Sequence, residues 1–414
     1  MRQRIYGWIS TLIGFVMALA LIEVGAIAWQ YIEDGRYISA EELFRRTENT
    51  YVRDLTREKS CRYVDTLYPH PYVAFVHHGN PPCGPPNVNN IGLLNEDFPT
   101  VKRTDRYVVL VVGGSVASQL AQNEPPPSPR FLEEELNKRY VSPNGKPWLV
   151  LNGGDGAWKQ PQQFILFSMY ATTVDAVVTL DGYNEHYFFT PWMKERLERP
   201  LSNFLEVNPF VADENFGDAA IGYVMGRIAG ALAKNAVLGR SHAAYFVIRG
   251  IEATAKGRDV FKSDKKTTLN SIFAMPPEIR ADNDKAFALQ LELYQKYARG
   301  IEVMAREFGV KTAYFIQPVP AIGKTLTEQE KRVVGSMYYT EYYKKLVAGM
   351  MTLRERGMPM FDLTDLLVDE KSTIYEDDIH FLRIRGTNDS PGYRLMARRM
   401  ATDLAQTWKL QAKP

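Results

Sequence analysis

The chain has 414 residues, 45% hydrophobic and 24% charged, with 29 glycines and 24 prolines. These are the proportions of an ordinary folded protein and exclude a disordered, collagen-like or many-pass membrane chain. Fifty basic residues against 48 acidic ones leave a formal charge of +2, which argues against a protein whose main task is neutralising nucleic-acid phosphates.

From Gly7 to Ile22 the sequence GWISTLIGFVMALALI carries no charge, and beyond Glu23 it continues VGAIAWQYI. That is about the length a membrane span needs. Arg2 and Arg4 before the run, with Glu33 and Asp34 after it, favour a cytoplasmic N-terminus and an exported remainder. Ala26-Ile27-Ala28 offers a signal-peptide cleavage site, but the apolar run is longer than a signal peptide uses, so residues 1–34 are expected to form an uncleaved anchor. Glu23 is costly in lipid and is expected to reach the interface or to carry a proton.

Residues 35–104 read as an irregular extension rich in Pro, Gly and Asn. It holds the two cysteines of the chain, Cys61 and Cys83. In an oxidising compartment they are expected to pair, closing a loop of about 20 residues and adding about 3 kcal/mol in the chain-entropy model. Cys61 and Cys83 with His70, His77 or His78 lack a compact ligand spacing, so no metal is expected.

An α/β domain is expected over residues 105–414. Tyr107 to Val112 (YVVLVV) is a short β-branched run ending at Gly113-Gly114, and PRFLEEELNKRY after it is helical. Trp148 to Leu151 is a second strand, Gln162 to Thr172 a helix, and Asp175 to Leu180 a third strand ending in Asp181-Gly182. Residues 185–309 read as a helical insertion, including an amphipathic or capping stretch at 219–237. The core resumes with a strand from Thr312 to Gln317, one long helix from Thr327 to Arg356, a short strand from Met360 to Leu363 and a closing helix from Gly392 to Trp408. This rhythm implies a flavodoxin-like three-layer α/β/α sandwich around a parallel sheet.

Ligands bind beyond the carboxyl ends of such strands. The residues there are Gly113-Gly114-Ser115, Asn152 to Gly156, and Asp181 to Glu185. A serine between a strand and a helix exposes its hydroxyl beside backbone N–H groups able to hold an oxyanion. GGSVA is neither a GxSxG elbow nor a dinucleotide or phosphate loop, so no cofactor is expected. Asp377 and His380, three residues apart before the last helix, supply a base and the carboxylate to orient it, with Asp378 as the alternative partner. Asn184 offers a side-chain N–H to the oxyanion. Each residue also has a structural reading. Ser115 suits a helix N-cap, and His380 a structural histidine. His186 and His242 have no motif around them, and Arg398 and Arg399 suit a solvated helix face. Trp158, Tyr187, Phe188 and Phe189 suit packing as well as stacking on sugar rings.

GGS at 113–115, LNGGDGAWKQPQQ at 151–163, TLDGYNE at 179–185 and DDIHF at 377–381 together resemble, in chain order, the four blocks of the SGNH/GDSL hydrolase superfamily. The resemblance covers about residues 105–195 and 310–405. It implies Ser115 as nucleophile, His380 as general base, Asp377 as its partner, and an oxyanion hole of Asn184 with backbone N–H groups of Ser115 and of Gly156, with Gly154 or Ala157 as alternatives for the last. This chain has GGS where the superfamily name implies GDS. The anchor, the cysteine-bearing extension and DGYNE resemble a membrane-anchored bacterial subgroup associated with exported polysaccharide. The implied activity is an esterase or deacylase acting on exported acylated carbohydrate or lipid. The alternatives are acyl transfer to a sugar hydroxyl through the same intermediate and a non-catalytic polysaccharide-binding factor.

Overall fold

The computed structural model describes residues 2–46, 66–80, 84–121, 128–186, 231, 235–256, 276–384 and 386–414. Cys61, Cys83, Tyr187, Phe188, Phe189 and most of the 219–237 stretch lie outside these residues. The chain divides into two compact units. One gathers Met1–Thr66, Pro81–Cys83 and Asn208–Ile272, the other Leu67–Asn80, Gly84–Val207 and Phe273–Pro414.

In the first unit, helix α1 (Arg2–Asp34) is followed by α2 (Ala40–Arg46). Within α1, Tyr6–Asp34 is long and apolar enough to cross a membrane. Its residues Trp8, Leu12, Phe15, Leu19 and Ile22 are exposed, as a lipid-facing helix requires. The carboxylate of Glu23 accepts from Ser241 Oγ (2.6 Å) and from the backbone N–H groups of His242 (2.6 Å) and Ala243 (3.2 Å). It therefore caps a separate helix of the same unit, which spans His242–Lys256, and supplies negative charge where that helix presents unsatisfied N–H groups.

The second unit is built on a five-stranded parallel sheet. A hairpin precedes it, formed by β1 (Leu67–His70) and β2 (Ala74–His77) in a stretch whose composition favours turns. The sheet strands are β3 (Tyr107–Gly113), β4 (Trp148–Gly154), β5 (Ala176–Asp181), β6 (Lys311–Ile316) and β7 (Met360–Asp362), ordered β4-β3-β5-β6-β7. All pairings are parallel. All of β3, β4 and β5 is buried, which explains why these strands read as continuous apolar runs instead of alternating ones.

Helices cover both faces, giving the three-layer α/β/α sandwich. α3 (Ser115–Ala121) and α4 (Phe131–Arg139) follow β3, α5 (Gln162–Tyr170) follows β4, and α6 (Asn283–Glu307) precedes β6. α6 packs on α5 and β6, so it is a crossover helix of the sheet. The stretch expected to be one helix from Thr327 to Arg356 is two, α7 (Glu328–Val333) and α8 (Thr340–Glu355). Gly335 lies between them at φ 65°, a left-handed conformation that stops helical hydrogen bonding and that glycine adopts without steric cost. The closing helix α9 (Pro391–Trp408) packs on α4.

Candidate active site

Strand order reverses around β3, since β4 lies on one side of it and β5 on the other. Gly113 is in register with Gly154 and with Leu180, so three loops leave the sheet at one level. That is the topological switch point at which open α/β sheets bind ligands. Ser115 opens α3 there. Its Oγ lies 2.7 Å from His380 Nε2, so the hydroxyl is engaged with the imidazole.

His380 Nδ1 lies 2.7 Å from Asp377 Oδ2. The other oxygen of Asp377 accepts from the backbone N–H groups of Ile379 (2.9 Å) and His380 (2.6 Å). One carboxylate thus folds the turn that carries the histidine and orients its ring. Burial raises the Asp377 carboxyl, but the His380 contacts and these N–H donors outweigh it and hold it at about 2. Asp377 is therefore an ionised acceptor above that pH and takes the Nδ1–H of His380, and in the neutral imidazole the Nε2 lone pair then faces the Ser115 hydroxyl. Asp378, the alternative partner, instead accepts from Tyr183 OH at 2.7 Å.

The segment leading into this turn is fixed from α7. Thr327 and Glu330 form a capping box at its start. Glu330 Oε1 also accepts from the N–H groups of Ile374 (2.8 Å) and Tyr375 (3.1 Å). Lys324 Nζ, 3.4 Å from Glu330, donates to the carbonyls of Glu370 and Ser372 at 2.9 Å each.

On the opposite side, Asn184 Nδ2 donates to Trp158 O at 2.8 Å, joining the loop after β5 to the loop after β4. Glu185 strengthens the joint, accepting from the N–H groups of Gln160 (3.2 Å) and Gly182 (2.8 Å). Asp181 beside it accepts from Tyr294 OH. Burial pushes the Asp181 carboxyl well above the usual range, Glu185 adds to the rise, and the hydrogen bond from Tyr294 opposes it.

The three candidates for a backbone donor after β4 differ in what they already bond. Gly154 N–H donates to Asn152 Oδ1 (3.0 Å) and Gly156 N–H to Asp155 Oδ1 (2.7 Å). Trp158 N–H closes a turn onto Asp155 O at 3.2 Å, and Ala157, third in that turn, stands at φ 61°. Turns with a left-handed third residue ordinarily hold glycine there. Ala157→Gly is accordingly expected to relieve strain of about 1 kcal/mol, offset in part by the greater freedom of glycine in the unfolded chain. The expected melting temperature is unchanged or slightly higher, and thermal melts check it.

Trp158 is 1% exposed and meets Phe75 edge-on at 6.2 Å, so it packs in the core and cannot stack on a sugar. His242 is buried in the first unit, with Nε2 2.8 Å from Ile38 O. Among the described residues no group of three or more His, Cys, Asp or Glu is placed to hold a metal ion. Sequence reading missed a buried pair, His77 Nε2 and Asp155 Oδ1, 3.0 Å apart. Its members are 78 residues apart in the chain, and no local motif joins them.

No protein-family profile matches the chain, and no curated protein matches it. Among solved structures, the chain is similar to the lipase/acylhydrolase from Enterococcus faecalis at 11% identity and a TM-score of 0.32, over 74% of this chain and 98% of that one. A second solved structure is also 11% identical, with a TM-score of 0.34, over 74% of this chain and 99% of its own. Identity this low transfers no role to any residue of the site.

Proposed function

We propose that the protein is a serine esterase or deacylase of the SGNH type, acting through an acyl-enzyme on Ser115. The observation that carries this is the unbroken relay from Ser115 Oγ through His380 to Asp377, with both steps 2.7 Å long. Such a relay lets the imidazole take the hydroxyl proton as Oγ attacks an ester carbonyl. The oxyanion that forms accepts from Ser115 N–H, the Asn184 side-chain amide and Ala157 N–H. Ala157 replaces Gly156 in this role because the Gly156 N–H is directed at Asp155, whereas no described residue accepts from Ala157 N–H.

Collapse of the tetrahedral species breaks the ester C–O bond, and His380 returns its proton to the leaving alcohol. Water then attacks the acyl-Ser115 ester, giving a proton to His380, and collapse of the second tetrahedral species breaks the acyl–Oγ bond as His380 returns that proton to Ser115 Oγ, releasing the carboxylic acid. Asp377 remains ionised throughout and stabilises the imidazolium. With the N-terminal helix as an anchor and Arg2 and Arg4 on the cytoplasmic side, the substrate is an exported acylated carbohydrate or lipid.

Full-length protein in detergent, treated with an alkyl fluorophosphonate, is expected to gain one adduct, mapped to Ser115 by mass spectrometry, and to hydrolyse a short-chain aryl ester. Folded protein that neither labels nor turns over would overturn the reading and favour a binding factor. Ester appearing on an added oligosaccharide, in place of free acid, would identify an acyltransferase.

A further inference from the structure

We propose that His77, from the hairpin before the sheet, is a positioning residue for the oxyanion side of the site and acts through Asp155. The proposal rests on the esterase reading above. His77 and Asp155 are 7% and 4% exposed, and Asp155 Oδ1 is shared between His77 Nε2 (3.0 Å) and Gly156 N–H (2.7 Å). The carbonyl of the same aspartate closes the turn that holds Ala157 left-handed. Asp155 therefore fixes this turn by both its side chain and its backbone, and His77 fixes Asp155.

The hairpin is itself rigidly held. His77 N–H donates to Gly92 O at 2.6 Å, and His77 pairs with Leu67 across the hairpin. Phe75 and His77, two residues apart on β2, share one face and meet Trp158 and Asp155 respectively. One step earlier, Val73 O accepts from Gln162 Nε2 at 2.7 Å. Three successive alternate residues of the hairpin thus grip the loop from Asp155 to Gln162. Of these contacts only that of His77 reaches the residue bonded to the Gly156–Ala157 segment.

A buried carboxylate needs donors, and the imidazole supplies one from a fixed direction. Without it Asp155 is drawn toward other donors or water, and the turn shifts with it. Donors to an oxyanion act only when aimed at its position, and a shift of about 1 Å is enough to cost two orders of magnitude in rate. Because the oxyanion exists only after attack begins, the loss falls on kcat and not on KM.

The test uses full-length protein in detergent with wild type, Ser115→Ala, His77→Leu and His77→Gln. Aryl-ester kinetics and the rate of fluorophosphonate labelling are measured on each, together with a melt. His77→Leu is expected to lower kcat and the labelling rate together by about 10- to 100-fold with KM within about twofold. His77→Gln, whose Nε2–H reaches about the same point as the imidazole Nε2, is expected to recover most of both. A folded His77→Leu that labels at the wild-type rate, or a Gln variant as impaired as Leu, would overturn the proposal while leaving the esterase reading intact. Wild-type protein that fails to label, as Ser115→Ala must, would overturn both.

Discussion

Replacing Ser115 with alanine is expected to lower kcat on an aryl ester by about 10⁴-fold or more, with residual rate from the oxyanion donors and binding alone. His380→Ala is expected to fall to a similar floor. The double variant should be no slower than either single one, because the hydroxyl and the imidazole act as one unit across their 2.7 Å contact. Stability should change little. The hydroxyl is bonded to His380, so its loss is that of one partly buried hydrogen bond, about 1 kcal/mol. Ester kinetics and thermal melts on the same preparations separate the two effects. A folded Ser115→Ala protein within tenfold of wild-type turnover would place the chemistry on another group.

Much of this site is legible in the sequence because its parts are local. β3, β4 and β5 are apolar runs that end at glycine or aspartate, so the residues after them mark the sheet edge without any knowledge of pairing. Asp377 and His380 are joined by a single turn, so their spacing alone predicts the contact. What the sequence does not disclose is built from distant partners or from a weak local signal. The break between α7 and α8 turns on Gly335, and a lone glycine within a helical pattern costs only about 1 kcal/mol, too little to mark a boundary. The place of α6 in the sheet depends on its packing against α5 and β6. Trp158 looks like a ligand platform in a list of aromatics but is filled from behind by Phe75, a residue more than 80 positions earlier. The His77–Asp155 and Asp181–Glu185 pairs are polar groups in a core, and only their partners explain them.

Gly114→Ala is expected to cost the oxyanion site about 10²- to 10³-fold in kcat, the loss typical of one missing donor. A Cβ at Gly114 would lie 2.2 Å from Asn184 Nδ2 and 3.2 Å from Trp158 O. No side chain fits there while Asn184 holds its bond to Trp158, so the amide must swing away from the serine. The cause is testable by a double-mutant cycle. Asn184→Ala alone is expected to lose a similar factor, and adding Gly114→Ala to it should cost nothing further, because the atom it meets is gone. If Gly114→Ala retains its full effect in the Asn184→Ala background, the glycine is required for the path of the backbone into α3 and not for the position of the amide. Fluorophosphonate labelling of Ser115 should follow the same cycle, since the phosphonyl oxygen takes the place of the oxyanion.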